Sequence, residues 1–449
     1  LMSNKIQLPI QLQKLGSTRF AQLYPQQPIQ EEVVKLCALS DFAFRSLESQ
    51  PQLKDWLINP DEQFSRDVPA PFDGLDLQQV DENQCNKILR QYREKYWLKV
   101  AYLDLCCDNP ISDSIKYISL LADMLINSAN RWAHAQTAKT AGEPLDEQGN
   151  SLPLMVLGMG KLGGHELNYS SDIDLIFAYP RNVPTQGGRK RIEAQVFYTK
   201  VAQKLINALN QVTGDGQVFR VDMRLRPFGE SGSLVMSFHA IEDYYQEQGR
   251  DWERYAMLKG RLIGTPNQYW DEFIQLLKPF VYRRYIDFSV IESLRKMKLM
   301  IAQEVRRKRL TNNIKLGAGG IREVEFIVQA LQMVRGGREA NLQTQSLLYA
   351  LEQLTLNQAM DEQEANELKR NYLHLRKVEQ YLQMFDDQQT QTLPDDELNQ
   401  ERLNYLLESE SFDHTMSEIE QVMAKIHDEF LLVIGEETVP LDTCEGAFI

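Results

Sequence analysis

The feature that most constrains this chain is a glycine-rich segment followed closely by two aspartates, Asp172 and Asp174. Residues 154–157 form an apolar run typical of a short strand, the glycines within 158–164 indicate a tight turn, and residues 173–179 indicate a second strand. Because side chains alternate along a strand, the two carboxylates project from one face while their apolar neighbours point to the other. Two carboxylates on one face suit a divalent metal ion.

Composition limits the classes of partner. The chain has 449 residues, 43% of them hydrophobic and 25% charged, which predicts two or three folded domains. A net charge of -14 and a pI near 5.1 argue against bulk binding to nucleic acid or to an anionic membrane. The five cysteines lack a C-x-x-C spacing, and no apolar run is long enough to span a bilayer. We expect a cytoplasmic protein whose partner is a protein or a nucleotide, with no nucleic acid and no membrane.

Helical periodicity lies on both sides of the central segment. From residue 31 to about 135, three apolar stripes indicate core-facing helices. The stripes are Val33, Leu36, Cys37, Phe44 and Leu47, then Ile88, Tyr92, Tyr96, Val100 and Leu103, and then Ile115, Ile118, Ala122, Leu125, Ala129 and Trp132. Residues 142–153 are dense in turn formers, which indicates a domain boundary or a surface hairpin. Residues 197–212 predict an amphipathic helix, and residues 240–260 predict a helical run.

The carboxy-terminal part is again helical from Phe288 onwards. The basic run 306–309 is interpreted as the solvated last turn of a helix, in preference to a nucleic-acid site. A glycine-rich loop then begins at Leu316 and starts another helix, and it either holds an anion on free N–H groups or forms a tight interhelical turn. Further helices are predicted up to about residue 432.

A third acid is predicted on the strand 217–227, where apolar and charged residues alternate. Its charged face consists of Arg220, Asp222, Arg224 and Arg226. A solvated sheet edge would look the same. A carboxylate at Asp222 beside the aspartate pair would complete a three-acid metal site, which favours a functional interpretation.

The glycines also satisfy the pattern G-x-G-x-x-G, which is typical of dinucleotide-binding folds. Such a fold requires a full helix after the glycines and an acid about twenty residues later, at the end of the next strand. Here the aspartates come too soon and begin the strand. The P-loop pattern fails as well, because Leu162 follows Lys161. A better description is Leu162, two glycines, a short helix, and then the aspartate pair on a strand.

This arrangement resembles the nucleotidyltransferase superfamily related to DNA polymerase beta. Four segments look more specifically like the glutamine synthetase adenylyltransferase family: G-M-G-K-L-G-G-H-E-L-N-Y-S-S-D-I-D-L-I-F at 158–177, V-D-M-R-L-R-P-F-G-E-S-G at 221–232, and the segments 243–256 and 315–326. Members of this family have two related catalytic halves, and the single Asp-x-Asp motif makes this chain look like one of them. Asn168, Met223 and the Phe-Gly-Glu-Ser-Gly of 228–232 favour the amino-terminal half, which removes AMP by phosphorolysis.

The resemblance implies an α+β, mostly helical fold in which a small mixed or antiparallel sheet forms the nucleotidyltransferase core. The domains expected are a helical region at 1–140, the core at 141–280, a helical bundle at 281–436 and a tail at 437–449. The partners implied are adenylylated glutamine synthetase, the PII signal protein, and phosphate, ADP and ATP.

The resemblance also implies roles for individual residues. Asp172, Asp174 and Asp222 are expected to be catalytic and to bind two Mg²⁺ ions, which take hard oxygen ligands. The residues expected at the substrate and its phosphate are Gly163, Gly164, Lys161, Ser171, Arg220, Arg224 and Arg226. Lys161 could equally be a surface lysine at a turn. His165 is expected to be a solvated loop residue, and Ser170 and Ser171 are expected to form local hydrogen bonds.

Three other functions remain open. The first is the ATP-dependent attachment of AMP to glutamine synthetase. The second is a regulatory or scaffold module that binds PII or glutamine synthetase without chemistry, and the retained acids argue against it. The third is a dinucleotide-dependent oxidoreductase, which the short spacing from glycine to aspartate disfavours.

Overall fold

The computed structural model describes residues 7–59, 68–283 and 312–434, together with residues 292 and 296. Within them, sixteen helices enclose a five-stranded sheet and a separate two-stranded ribbon. The fold is therefore α+β and mostly helical, as the sequence predicts. Apart from Glu292 and Lys296, the helix predicted from Phe288 lies outside the described residues, as do the basic run 306–309 and the tail 437–449.

Six helices form the amino-terminal region. They are α1 (Ile10–Leu23), α2 (Glu31–Leu39), α3 (Asp41–Ser49), α4 (Leu53–Ile58), α5 (Glu82–Cys106) and α6 (Ile111–Ala141). The prediction that Val33 to Leu47 share one helix is wrong, because Ser40 ends α2 and caps α3. The Ser40 hydroxyl oxygen accepts a hydrogen bond from the Ala43 N–H at 3.1 Å, which satisfies a free donor at the start of α3.

The sheet is mixed. Its strands are β2 (Met155–Gly158), β3 (Ile173–Tyr179), β5 (Val221–Asp222), β6 (Val235–Ser237) and β7 (Arg261–Ile263). They follow the order β5-β3-β2-β7, and β6 also pairs with β3. β2 is antiparallel to both neighbours, whereas β5 and β6 are parallel to β3. β1 (Gly142–Pro144) and β4 (Thr185–Gly187) form the ribbon, and a bridge between Leu145 and Ser151 confirms a hairpin within 142–153.

Three details of the core differ from the predictions. The helices here are α7 (Gly160–Gly163), α8 (Ala194–Asn210), α9 (Phe238–Glu247), α10 (Asp251–Met257) and α11 (Gln268–Val281). The short helix α7 lies within the glycines and not after them. The helical run 240–260 is interrupted between α9 and α10. The predicted strand 217–227 is paired only in β5, because the chain turns after Asp222 and Arg226 donates hydrogen bonds to the carbonyl oxygens of Met223 and Glu230.

The carboxy-terminal part is a helical bundle packed on the core. It contains α12 (Ile321–Arg335), α13 (Leu347–Leu356), α14 (Glu362–Met384), α15 (Glu397–Leu406) and α16 (Phe412–Ile434), and short 3-10 turns lie at Gly229–Ser231 and Ala340–Leu342. One hydrophobic cluster extends from Leu12 to Phe430 and includes residues from all three parts. The ion pair of Arg402 with Asp41, at 2.8 Å, joins the bundle to the amino-terminal helices. The three predicted domains therefore share one core, and their boundaries stay predictions.

The cysteines and the helices of the described ranges can each be characterised by one property. Cys37, Cys85, Cys106 and Cys107 form no disulfide bond within those ranges. In the part of the chain that the structure describes, no helix combines the length and the apolar character needed to cross a bilayer.

Gly163 provides a test of the close packing between α7 and the segment before β7. A Cβ atom at this position would lie 1.6 Å from the carbonyl oxygen of Lys259. We expect Gly163→Ala to lower the free energy of unfolding by about 3 kcal/mol or more, because backbone cannot yield as a side chain can. Gly214→Ala is the control, since its Cβ would meet nothing within 4 Å. Equal denaturant midpoints for the two variants would contradict this packing.

Candidate active site

The parallel pairing of β3 with β5 brings two of the predicted aspartates together. Ile173 lies opposite Val221, and Asp174 lies opposite Asp222. Asp172 immediately precedes β3, and its carboxylate is near enough to Asp174 to raise the pKa of that group. All three aspartates are half-buried. The structure thus gathers the predicted acids at the beginning of β3.

Asp174 lies at the centre of this negative charge. Burial, followed by the negative charges of Asp172 and Asp222, raises the pKa of Asp174 to about 7, and the smaller opposing effects of Lys315 and Arg224 do not cancel this rise. The pKa of a carboxyl group shifts upward when water is removed and like charges are close. A bound cation would relieve this repulsion.

The Asp222 carboxylate forms an ion pair with the guanidinium group of Arg224. Burial acts to raise the pKa of Asp222, but hydrogen bonds and the positive charge of Arg224 bring it below its ordinary value. One guanidinium nitrogen of Arg224 lies 2.5 Å from Asp222 Oδ2, and the Arg224 side chain is 71% exposed. The charge on Asp222 is therefore balanced by an arginine that also faces solvent.

Asp172 is contacted by the carboxy-terminal bundle. The Gln389 side-chain amide, which follows α14, donates a hydrogen bond to Asp172 Oδ1 at 2.9 Å. The two residues are 217 positions apart. Gln389 was missed by sequence reasoning, and no spacing or motif could have identified it, because only the packing of the bundle brings it to the site.

The three aspartates supply the oxygen donors of the predicted metal site. Among the described residues, no group of three or more Asp, Glu, His or Cys side chains is arranged so that it could hold a metal ion. Asp222 is engaged by Arg224 and Asp172 by Gln389. The donor set is nevertheless made of carboxylates, the ligands that Mg²⁺ prefers. The three acids therefore fit a magnesium site by their chemistry, and the two Mg²⁺ ions stay a prediction.

The glycines of α7 have different neighbours. Gly160 has φ +54, and a Cβ there would lie 3.2 Å from Asp174 Oδ2, so this glycine is the one beside the acids. A Cβ at Gly163 would meet the Lys259 carbonyl oxygen, and one at Gly164 would lie 2.9 Å from Lys259 Nζ. Packing alone accounts for Gly163 and Gly164, and their phosphate role stays a prediction. Sequence reasoning missed Gly160, although its place in G-x-G was a signal.

Lys161 is engaged in a buried ion pair. Its ammonium group lies 2.7 Å from each carboxylate oxygen of Glu379 and donates to Asn168 Oδ1 at 3.1 Å. The Lys161 side chain is 13% exposed, so the alternative of a surface lysine is wrong. The predicted role of Lys161 in phosphate binding stays a prediction. Its ammonium group already contacts the Glu379 carboxylate and the Asn168 side-chain amide.

Three residues between α7 and β3, His165, Ser170 and Ser171, were expected to be solvated or to form local hydrogen bonds. His165 is exposed, as expected. Ser171 is buried and its hydroxyl oxygen accepts from the Asn168 N–H at 3.1 Å, a local bond of the kind expected. Ser170 departs from the expectation, because its backbone N–H donates to Gln383 Oε1 at 2.7 Å. The phosphate role of Ser171 stays a prediction.

The three predicted arginines do not share one face, because β5 ends at Asp222. Arg220 donates to the Ser170 carbonyl oxygen at 2.8 Å, whereas Arg226 holds the turn that follows β5. Arg224 covers Asp222. Among the three, Arg220 lines a cavity of about 360 Å³ beside Ser171, whose other charged lining residues are Arg45, Arg90, Arg93, Glu94, Asp215, Asp386 and Asp387. Their phosphate roles stay predictions, and of the three only Arg220 lines this cavity.

The glycine-rich loop after Leu316 is a tight turn. A Cβ at Gly319, which has φ +74, would lie 1.7 Å from the Met423 carbonyl oxygen. The Gly319 N–H donates to Glu323 Oε2 at 2.9 Å, so the side chain of α12 already occupies this donor. Of the two interpretations of this loop, the interhelical turn accounts for the observed contacts.

Comparison with known proteins identifies the family. The family described as glutamate-ammonia ligase adenylyltransferase matches residues 30–275, and the one described as GlnD PII-uridylyltransferase matches residues 295–434. A bifunctional glutamine synthetase adenylyltransferase/adenylyl-removing enzyme of Shewanella woodyi is 50% identical over 414 residues, which cover 91% of this chain and 43% of the relative. The enzyme of the same name from Idiomarina loihiensis is 48% identical over 422 residues, 91% of this chain and 44% of the relative.

The fold and the acids at β3 place the chain among nucleotidyltransferase-type proteins. The chain belongs to the glutamate-ammonia ligase adenylyltransferase family. It spans less than half the length of the curated relatives described above.

The raised pKa of Asp174 predicts how stability depends on pH without divalent cations. The folded protein holds this proton up to about pH 7, whereas the unfolded chain releases it near 3.8. The folded state therefore binds more protons between these values, and stability falls as the pH rises from about 4 to about 7. We expect Asp174→Asn to exceed the wild type in free energy of unfolding by on the order of 1–3 kcal/mol at pH 8, and to match it near pH 4.

The measurement is urea denaturation in EDTA at both pH values. Asp395→Asn, at an exposed aspartate, is the control and should change the stability little at either pH. An Asp174→Asn variant that is less stable than the wild type at pH 8 would contradict the raised pKa of Asp174 as a source of instability.

Proposed function

We propose that this chain removes AMP from adenylylated glutamine synthetase by phosphorolysis, which reactivates the synthetase in nitrogen regulation. The observation that carries the proposal is the β3–β5 pairing, which sets Asp174 opposite Asp222 and beside Asp172 in a chain of this family. The relatives' names include both an adenylyltransferase and an adenylyl-removing activity. Both are transfers of an AMP group, for which an acid-lined sheet edge is suited.

Phosphorolysis replaces one P–O bond at the adenylyl phosphorus with another. An oxygen of inorganic phosphate attacks the adenylyl phosphorus, and the new P–O bond makes ADP. The bond between that phosphorus and the tyrosine oxygen breaks, its electron pair stays on the oxygen, and the proton that the attacking hydrogen phosphate loses passes to this oxygen to give the free tyrosine hydroxyl. Both reactants are anionic, so the site has to balance negative charge while it brings them together.

Different residues would bind the metal ions, leave space for the substrate and contact the attacking anion. Asp172, Asp174 and Asp222 would hold two Mg²⁺ ions, which when bound neutralise charge on the reacting phosphates. Gly160 leaves space beside Asp174 Oδ2 for close approach of a substrate group. Arg220 lines the adjacent cavity and is suited to an anion, since guanidinium forms bidentate contacts.

The direction of transfer is the finer part of the proposal. Asn168, Met223 and the segment 228–232 carry the amino-terminal type of the family motif, for which phosphorolysis is expected. The alternative is ATP-dependent attachment of AMP. The match of residues 295–434 to the family described as GlnD PII-uridylyltransferase supports PII as a regulatory partner beside glutamine synthetase. We also propose that the chain works in the cytoplasm.

One assay distinguishes the two directions. The chain is incubated with glutamine synthetase that carries radiolabelled AMP, with Mg²⁺ and with inorganic phosphate, and the products are separated. We expect labelled ADP and a loss of label from the synthetase, both dependent on phosphate. Transfer of AMP from ATP to unmodified synthetase, without ADP from the labelled protein, would establish attachment. Binding without either reaction would indicate a regulatory module.

Asp174→Asn tests the role of the acids in this reaction. Asparagine keeps the shape of the side chain and removes its charge, so we expect the rate of ADP release to fall at least about 100-fold. The far-ultraviolet circular dichroism should match that of the wild type. Asp395→Asn is the matched control and should retain full activity. Wild-type turnover by Asp174→Asn would rule out the three-acid site.

A further inference from the structure

A stripe of polar side chains on α14 faces the segment that leads into β3. Arg376, Glu379, Gln380 and Gln383 lie at helical spacing, so they share one face of the helix. All four are completely buried. Buried polar groups destabilise a core unless their hydrogen bonds are made, so four of them on one face require partners.

The two glutamines bind backbone. Gln380 Oε1 accepts from the Tyr169 N–H at 3.0 Å, and Gln383 Oε1 accepts from the Ser170 N–H at 2.7 Å. These successive N–H groups belong to a segment without regular secondary structure, so no strand or helix partner is there to satisfy them. The next residues are Ser171 and Asp172.

The two charged residues bind side chains of the same segment. Arg376 donates to Asn168 Oδ1 from two nitrogens, at 3.0 and 2.6 Å. Glu379 forms the ion pair with Lys161, which also donates to Asn168. The Asn168 side-chain amide in turn donates to Gln380 Oε1 at 3.1 Å. The side chains of Lys161 and Asn168 and the backbone of Tyr169 and Ser170 are thus held against one helix face.

The orientation of Gln380 is fixed from a third direction. Its side-chain N–H donates to Asp104 Oδ2 in α5 at 3.0 Å, which determines which end of the amide faces Tyr169. The end of α14 is held as well, because the Ser40 hydroxyl donates to the Met384 carbonyl oxygen at 2.6 Å. The acceptors on α14 therefore have a defined position relative to the core.

We propose that Gln380 and Gln383 are positioning residues, which hold the backbone at Tyr169 and Ser170 and so set the carboxylates of Asp172 and Asp174. The inference rests on the proposed function for the reaction concerned. Apolar residues would fill the same space in the core. What the glutamines add is a fixed path for the chain two residues before the first acid. A catalytic group displaced by about 1 Å can lose about 100-fold in rate.

The test compares Gln380→Met and Gln383→Met with Gln363→Met, an exposed glutamine on the same helix. Methionine keeps the length and volume of the side chain and removes the acceptor. We expect kcat for ADP release to fall about 10- to 100-fold in the two buried variants, with the KM for phosphate changed less than about threefold. Gln363→Met should behave as the wild type.

Hydrogen exchange supplies a readout that is independent of activity. In Gln383→Met the Ser170 amide should exchange at least about tenfold faster, and in Gln380→Met the Tyr169 amide should do so, while amides in α5 and α16 keep their protection. Faster exchange at these amides with kcat within twofold of the wild type would overturn the positioning role. Unchanged exchange would overturn it too, since the hydrogen bonds would then be absent. If a methionine variant does not fold, Gln383→Asn withdraws the acceptor by one methylene and is measured in its place.

Binding of Mn²⁺ alone, measured by electron paramagnetic resonance, separates this inference from the proposed function. We expect the two buried variants to bind Mn²⁺ at least about tenfold more weakly than the wild type and Gln363→Met. If the wild type binds Mn²⁺ more tightly than the two buried variants but neither removes nor attaches AMP, the proposed function is refuted and positioning is supported. Equal Mn²⁺ affinity in all variants, with unchanged exchange, would refute positioning alone.

Discussion

The buried carboxylate of Glu379 is the group on which the geometry of the site depends. Burial acts to raise the pKa of Glu379, but Lys161 and Arg376 hold it below its ordinary value, so it remains an anion between two cations. Removal of one partner from such a buried pair costs about 3–5 kcal/mol, because the other charge is left without compensation. The pair connects α7 to α14, and the rest of the segment before β3 is ordered around it.

This constraint explains how the chain holds three like charges together. Asp172, Asp174 and Asp222 repel one another, and the raised pKa of Asp174 records that cost. β5 contributes only two paired residues, so the short sheet by itself has few hydrogen bonds with which to oppose the repulsion. The carboxy-terminal part provides additional hydrogen bonds, between Gln383 and the Ser170 N–H and between Gln389 and the Asp172 carboxylate. The helical part is thus a component of the site as well as its support.

Local patterns in the sequence predicted much of the fold. The strands β2 and β3, the long helices α5 and α6 and the hairpin near Gly142 follow from periodicity and turn residues. The prediction was wrong for the strand 217–227, since alternation continued beyond the residues that pair. Arg226 illustrates the reason: it was assigned to a charged strand face, but it folds back on its own turn because carbonyl oxygens lie within reach.

The sequence by itself determined which acids form the candidate site and which family the chain resembles, because Asp-x-Asp on a strand is a local pattern with a fixed geometry. Only the tertiary structure decided what surrounds those acids. Gln380, Gln383 and Gln389 lie more than 200 positions after Asp172 and Asp174 and carry no motif, and their role depends on hydrogen bonds formed across the core. Lys161 was left open by the sequence for the same reason, since its partner Glu379 is a neighbour only after folding.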